Sequence, residues 1–324
     1  MWNVQMVKDL RQFNVYIKTA SKAIPHREEL RKALSLWGTF RLGEKIPSLK
    51  LKELLGERTI AAVDGSRIEY ASFYPYSLVL LRTLGKCTGR EDLEKSKVIT
   101  PLHAETAALV YKKKEKEGIG EEEAYRLYLK EELAHLEILT ALEIAEKYKP
   151  CLLMLDGGFL LFDQFAEWRK LYKFCLENDI ILVGIIEEVA TSVLAKWLDL
   201  RLDHSLRIYD REILFGLLDK GEYLLFAADK NIKKNYHTVF ARLGSLPQAI
   251  GCDFLAEQRE KITQAMNLLY TLTPRHGQGI PLWLQITDAK VRLRKKETEK
   301  LIENCLEPEL RELFFRANRE RRAF

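Results

Sequence analysis

Two short apolar runs in the sequence each end in a carboxylate. Thr59-Ile60-Ala61-Ala62-Val63 leads to Asp64, Gly65 and Ser66, and Cys151-Leu152-Leu153-Met154-Leu155 leads to Asp156, Gly157 and Gly158. Short apolar runs bounded by turn residues read as buried strands. Asp-Gly is turn chemistry, so each strand is expected to leave the core at its Asp, with the glycine letting the backbone turn. Either motif alone is as well explained by a turn as by a site; the pair is the signal. Two carboxylates side by side at one sheet edge repel each other, and a divalent cation between them is the common remedy.

The elements that would hold them follow from the rest of the chain. Residues 1 to about 57 read as a helical arm, with Met6, Leu10, Phe13 and Ile17 on one face and Leu30, Leu34 and Trp37 on another, packing on the domain or on a second subunit. Tyr70 to Leu84 reads as two further strands joined near Pro75, antiparallel to the first, and residues 91 to 100 as a short strand or loop. Pro101 to Tyr148 is helical with a break at Gly118 and Gly120, and Leu127, Leu133, Leu136, Leu139 and Leu142 are expected to face the core. A helix over 162–177 then joins the Asp156 strand to a third apolar run, Asp179 to Ile186, which makes a strand-helix-strand unit with parallel strands. An antiparallel meander followed by parallel strands, flanked by helices, is the ribonuclease H-like arrangement of an α/β fold. Residues 190–220 read as helical with Lys196, Arg201 and Arg207 exposed, Tyr223–Ala227 and Thr238–Leu243 as late strands, and Glu257–Leu272 as a helix. The expected organisation is a helical arm over 1–57, one catalytic domain over 58–293 and a basic helical tail over 294–324, with Arg316, Arg319, Arg321 and Arg322 near its end.

A two-metal site needs a third carboxylate. The helix before Asp156 runs back along a strand of about six residues, roughly 20 Å at about 3.3 Å each. That length takes about 13 helical residues at about 1.5 Å, which leads back from Lys147 to the neighbourhood of Ala134. Glu131, Glu132 and Glu137 are in reach, while Glu143 and Glu146 lie at the wrong end. Glu137 shares an edge with Leu133 and Leu136 and is the first choice, Glu132 the second. In the loop-like stretch Thr273 to Pro281, His276 stands among small residues as a candidate general base or phosphate contact, with Arg275 beside it to hold a phosphate. Lys112-Lys113-Lys114 reads better as a solvated helix face than as a phosphate contact.

The bulk numbers bound the function. With 324 residues and 47% hydrophobic content the chain has a core of ordinary size. A net charge of +5 is compatible with a nucleic-acid partner without demanding one. Five widely spaced cysteines without a C-x-x-C pair suit a reducing compartment and exclude a zinc ribbon. There is no apolar run long enough to span a bilayer and no secretory signal pattern, so a cytoplasmic protein is expected. No Walker-type phosphate loop is present, which argues against an ATPase in this chain.

Asp64-Gly65-Ser66, then Asp156-Gly157-Gly158-Phe159-Leu160, then His276-Gly277 with Ile280-Pro281-Leu282-Trp283-Leu284 and Asp288, in that order across residues 59 to 293, resemble the NurA nucleases. The resemblance implies a ribonuclease H-like fold, manganese-dependent cleavage of DNA with magnesium as the alternative ion, and a homodimer that works with a HerA-type hexameric translocase in DNA end resection. The corresponding activity is a 5′-to-3′ exonuclease with endonuclease action on single strands. It assigns Asp64, Glu137 and Asp156 as metal ligands and places His276 near the reacting phosphate. One departure is Glu187-Glu188, where many relatives carry a lysine after the third strand; Lys196 is the substitute this chain offers. That departure keeps a second class open, a non-catalytic DNA-binding or translocase-docking adaptor. A ribonuclease H-like enzyme that cleaves RNA is the third reading, and a 2′-hydroxyl preference would mark it.

Overall fold

The apolar run at 60–63 does not turn at Asp64; it continues as one strand to Phe73. This is seen in a computed structural model that describes residues 2–201 and 208–315. In chain order the elements are α1 (Val4–Ala20), α2 (Arg27–Leu34), β1 (Gly38–Leu42), α3 (Ser48–Leu55), β2 (Ile60–Phe73), β3 (Tyr76–Cys87), β4 (Leu93–Ile99), α4 (Ala104–Glu117), α5 (Glu121–Tyr148), β5 (Leu152–Asp156), α6 (Ala166–Glu177) and β6 (Ile181–Ile186). They continue with α7 (Val193–Trp197), α8 (Asp210–Leu214), β7 (Glu222–Phe226), β8 (Tyr236–Ala241), β9 (Ile250–Leu255), α9 (Ile262–Leu272), α10 (Leu282–Val291), α11 (Lys295–Cys305) and α12 (Pro308–Phe314). Arg207, Arg316, Arg319, Arg321 and Arg322 lie outside the described residues.

The chain divides into two compact units, Met1–Ser48 with Gly184–Pro281, and Leu49–Val183 with Leu282–Phe324. In the second, β2 and β3 form a long antiparallel hairpin closed at Tyr74-Pro75, and β4 extends it antiparallel to β3. On the other side of β2, β5 runs parallel to it, with Ile60 opposite Leu152 and Val63 opposite Leu155. The chain then crosses over through α6 to β6, where Ile181 N–H donates to Cys151 O at 3.0 Å. A meander followed by crossover-linked strands is the expected ribonuclease H-like order. The apolar core lies under α4 and α5, where Val79, Leu81, Ile99 and Val110 pack on Ala124, Tyr125, Tyr128 and Leu129.

In the first unit, β1, β7, β8 and β9 are antiparallel neighbours in that order. Leu30 and Leu34 of α2 enter its core with Leu214, Leu224, Phe226 and Phe240. The expected stacking of Leu30, Leu34 and Trp37 is thus realised here.

Five sequence expectations need correction. The segment 1–57 is not wholly helical, because Gly38–Leu42 pairs with β7 as a strand. Met6, Leu10, Phe13 and Ile17 are exposed, so of the two expected partners of α1 this face is not covered by the domain. Tyr70 to Phe73 belongs to β2 and is not a separate strand. The leucine face expected for α5 is only half-buried; the core side is Tyr125, Leu129, Ile138, Ala141 and Ile144, because apolar residues occur on several sides of this long helix and the leucines alone do not mark the buried one. Among the described residues of 190–220 only Val193–Trp197 and Asp210–Leu214 are helical, and Ile250–Leu255 adds a strand, β9, to the expected late ones.

A candidate metal centre at the ends of two parallel strands

The register places the site. Asp64 and Asp156 each stand one residue past the last paired positions, Val63 and Leu155, of neighbouring parallel strands. They therefore point to the same side of the sheet, with their backbones one strand spacing apart, about 4.8 Å. Arg58 fixes the opposite ends of both strands. Its guanidinium donates to the carbonyls of Pro150 and Asp179, each at 2.9 Å, tying the start of β2 to the entries of β5 and β6.

Side-chain alternation sorts the two faces of β2. Ile68 packs with Leu78, Leu80, Ile302 and Leu293, and Ser66 Oγ accepts from Leu293 N–H at 3.2 Å. Asp64, Ser66 and Ile68 share that face, toward α10 and α11. Gly65 has the opposite parity and faces α5. A Cβ placed on Gly65 would overlap Glu137 Oε1 and come within 2.8 Å of Leu133 Cδ1. On β3, a Cβ on Gly85 would come within 2.7 Å of Ile144 Cγ1 and 2.9 Å of Thr140 Cγ2. Thr83 and Thr140 share a buried hydrogen bond of 2.7 Å between these points. Two glycines on adjacent strands thus let α5 settle onto the sheet, and the one at 65 leaves the opening into which the Glu137 carboxylate enters. Gly65 works as a close-approach residue, not as the expected turn, and its φ is not left-handed. The turn residue is Gly157, with φ +95°.

The electrostatics are those of crowded negative charge. Asp64 is 3% exposed. Burial first, then the charge of Asp156, and more weakly that of Asp288, push its carboxyl up to about 8, against a hydrogen bond from Gly65 N–H at 2.7 Å. Asp156 is raised as well, again first by burial; the residue is exposed overall, but its carboxyl is crowded by protein, and its hydrogen bond with Asp64 works the other way. Glu137 is raised well above the usual carboxylate range, by burial and then by Asp64 and Asp156. The charges that raise the three acids are those of other carboxylates. Among the described residues no three acidic, histidine or cysteine side chains are grouped closely enough to hold a metal ion as they stand. The donor set nevertheless fits a hard divalent cation: oxygens only, surplus negative charge, and a glycine-made gap that admits the third ligand.

Among the sequence candidates, Asp64, Asp156 and Glu137 come together. Glu132 does not join them; it pairs with Lys97 of β4. His276 and Arg275 lie exposed in the turn after α9, and Lys196 lies exposed on α7, all three in the first unit. Glu188 is held by Arg211 at 2.7 Å. Lys113 and Lys114 pair with Glu131 and Glu121 and are half-buried, while Lys112 is exposed, so the run is only partly the solvated face expected. Asp288, on α10, is a fourth acid felt by Asp64 and Asp156; it was part of the sequence motif but not chosen as a ligand, since a lone exposed helical Asp gives no signal of its own.

The NurA domain model matches residues 58–293. The chain belongs to the NurA family. Its fold is similar to that of the NurA nuclease from Sulfolobus solfataricus, at 14% identity and a TM-score of 0.57, with 94% of this chain and 96% of that one covered. Weaker likenesses include an endonuclease V from Ciona intestinalis in complex with DNA, at 10% identity and a TM-score of 0.40 over 90% of this chain and 98% of that one. The catalytic domain of human endonuclease V matches at 11% identity and a TM-score of 0.37 over 91% and 98%. A sequence search of curated proteins finds no match. No described helix of this NurA-family chain is long and apolar enough to cross a membrane.

Proposed function

We propose that this NurA-family protein is a metal-dependent DNA nuclease that hydrolyses phosphodiester bonds. The observation that carries the reading is the meeting of Asp64, Asp156 and Glu137 at one strand end, in a family of which one solved member is called a nuclease. Divalent cations bound here would supply Lewis acidity toward the scissile phosphate and a more acidic water as nucleophile. Asp64, Asp156 and Glu137 are the residues that would hold the ions. Burial and the repulsion of neighbouring carboxylates raise the carboxyls of Asp64 and Asp156, so ion binding, which needs them ionised, works against that shift. Manganese is the proposed ion and magnesium the alternative, since both take oxygen ligands. His276 is proposed to orient water or protonate the leaving oxygen, with Arg275 and Lys196 on backbone phosphates. The finer reading is a 5′-to-3′ exonuclease with endonuclease action on single strands, working as a homodimer with a HerA-type translocase in end resection in the cytoplasm.

The test is cleavage of end-labelled single- and double-stranded DNA with manganese, magnesium or EDTA by wild type, Asp64→Ala and Asp156→Ala. Manganese-dependent cleavage lost in both folded variants is expected. A wild type that binds DNA in EDTA and cleaves under no metal would favour the adaptor.

A further inference from the structure

The first unit carries a concentration of positive charge that the carboxylate site does not explain. The loop after β1 is clamped onto α9 by its own backbone. Gly43 N–H donates to Gly221 O at 2.8 Å, Glu44 N–H to Asn267 Oδ1 at 2.9 Å and Ile46 N–H to Thr271 Oγ1 at 2.9 Å. Lys45 is thereby held over the ring of Tyr270, its Nζ 4.8 Å from the centroid, and donates to Thr273 O at 3.2 Å. The ring is packed on Gly221, whose φ is +84° and where a Cβ would come within 2.7 Å of Tyr270 Cε1. From the other side Lys220 Nζ donates to Arg275 O at 3.3 Å. Two ammonium groups are thus tied to carbonyls of one short turn, and the exposed guanidinium of Arg275 stands on that turn beside His276.

Among the described residues none of Lys45, Lys220 and Arg275 has an acidic partner in an ion pair. Lys45 is shifted down, first by burial and then by Arg275 and Lys220, as expected of like charges held close. Holding three cations together without counter-charge is unfavourable unless an anion completes the arrangement. The surface is open, with Lys45 and Arg275 exposed, so an extended polyanion suits it better than an enclosed small ligand. Carbonyl-tethered lysines present point charges, which read backbone phosphate without reading bases.

We infer that Lys45, Lys220 and Arg275 form a phosphate clamp that binds the backbone of the DNA strand. This rests on the reading of the protein as a DNA nuclease and adds two lysines, distant in sequence, to its substrate-binding surface.

The experiment is binding of a fluorescein-labelled single-stranded DNA 20-mer by the full chain in EDTA, followed by anisotropy between 50 and 300 mM salt (about these limits). Asp64→Asn serves as the background, and it is compared with added Lys45→Ala plus Lys220→Ala. Each lost phosphate contact removes about 0.7 from the slope of log K against log salt for single strands. The double variant is expected to lose about 1.4 from the slope and at least about tenfold in affinity at about 0.1 M salt. Lys8→Ala, on exposed α1, is expected to change neither, and Lys45→Arg plus Lys220→Arg to restore most binding. Melting curves identify any variant that fails to fold. An unchanged slope in the folded double alanine variant, an equal loss in Lys8→Ala, or no rescue by arginine would overturn the clamp. Because binding is read in EDTA, absence of cleavage would defeat the nuclease reading and leave this result standing; cleavage with an unchanged slope would do the reverse.

Discussion

The space that a side chain on Gly65 would fill is occupied by the carboxylate of Glu137. This contact joins the third acid to the two strand-end aspartates, since α5 can bring Glu137 in only because β2 has no Cβ at that point. The helix, the glycine and the strand register together define the site.

Gly65→Ala is therefore predicted to act through Glu137. The added methyl meets a carboxylate oxygen and Leu133 in a packed layer, and overpacking of this kind costs about 1–3 kcal/mol. Urea unfolding should show that loss, and cleavage should fall more than about a hundredfold in protein that is still folded, as for a misplaced metal ligand. A variant with wild-type cleavage would show that the close approach is not required.

Asp64→Asn should separate stability from activity. The amide keeps an oxygen to accept from Gly65 N–H and removes a buried charge that Asp156 and Asp288 oppose. In EDTA at about pH 8.5, above the value at which Asp64 ionises, the variant is predicted to melt a few degrees higher than wild type while losing cleavage. Calorimetry of the two proteins decides this; a lower melting temperature would contradict it.

The pH dependence of the metal-free protein has a definite sign. Asp64 gives up its proton near pH 4 in the unfolded chain and near about 8 in the fold. Between those values the folded state holds a proton that the unfolded state has released, so stability falls as pH rises through that window and levels off outside it. A bound divalent cation needs the carboxylates ionised, so manganese should flatten or reverse the slope. Melting temperatures from pH 4.5 to 8.5, with EDTA and with manganese, provide the comparison.

The two glutamates weighed on α5 should part company. Glu137→Gln removes a ligand at the crowded site and is predicted to abolish cleavage. Glu132→Gln breaks a surface pair with Lys97, worth at most about 1 kcal/mol, and should leave cleavage within a few-fold. Rates and unfolding midpoints of both variants distinguish them.

The sequence carried much of this site and hid part of it for physical reasons. The apolar runs before Asp64 and Asp156 announced buried strands because two-sided burial leaves nothing polar in them. Matching helix length to strand length narrows the third acid to Glu131, Glu132 and Glu137, and the face shared with Leu133 and Leu136 favours Glu137. Asp64-Gly65 was misread as a turn because the residue pair that makes turns is the same pair that permits a helix to approach a strand. The strand at Gly38–Leu42 was missed because only one edge of it pairs, with β7, and its side chains stay largely exposed, leaving no periodicity between two helices. Asp288 gave no signal on its own, as its relevance comes only from α10 lying along β2.

Manganese binding to the metal-free protein tests the central claim most directly, with free ion counted by electron paramagnetic resonance at about pH 8. Wild type is predicted to bind manganese, magnesium is predicted to compete, and Asp64→Asn, Asp156→Asn and Glu137→Gln are each predicted to bind at least about tenfold more weakly. Binding that is absent in wild type, or that is unchanged in all three folded variants, would contradict a metal centre at these carboxylates.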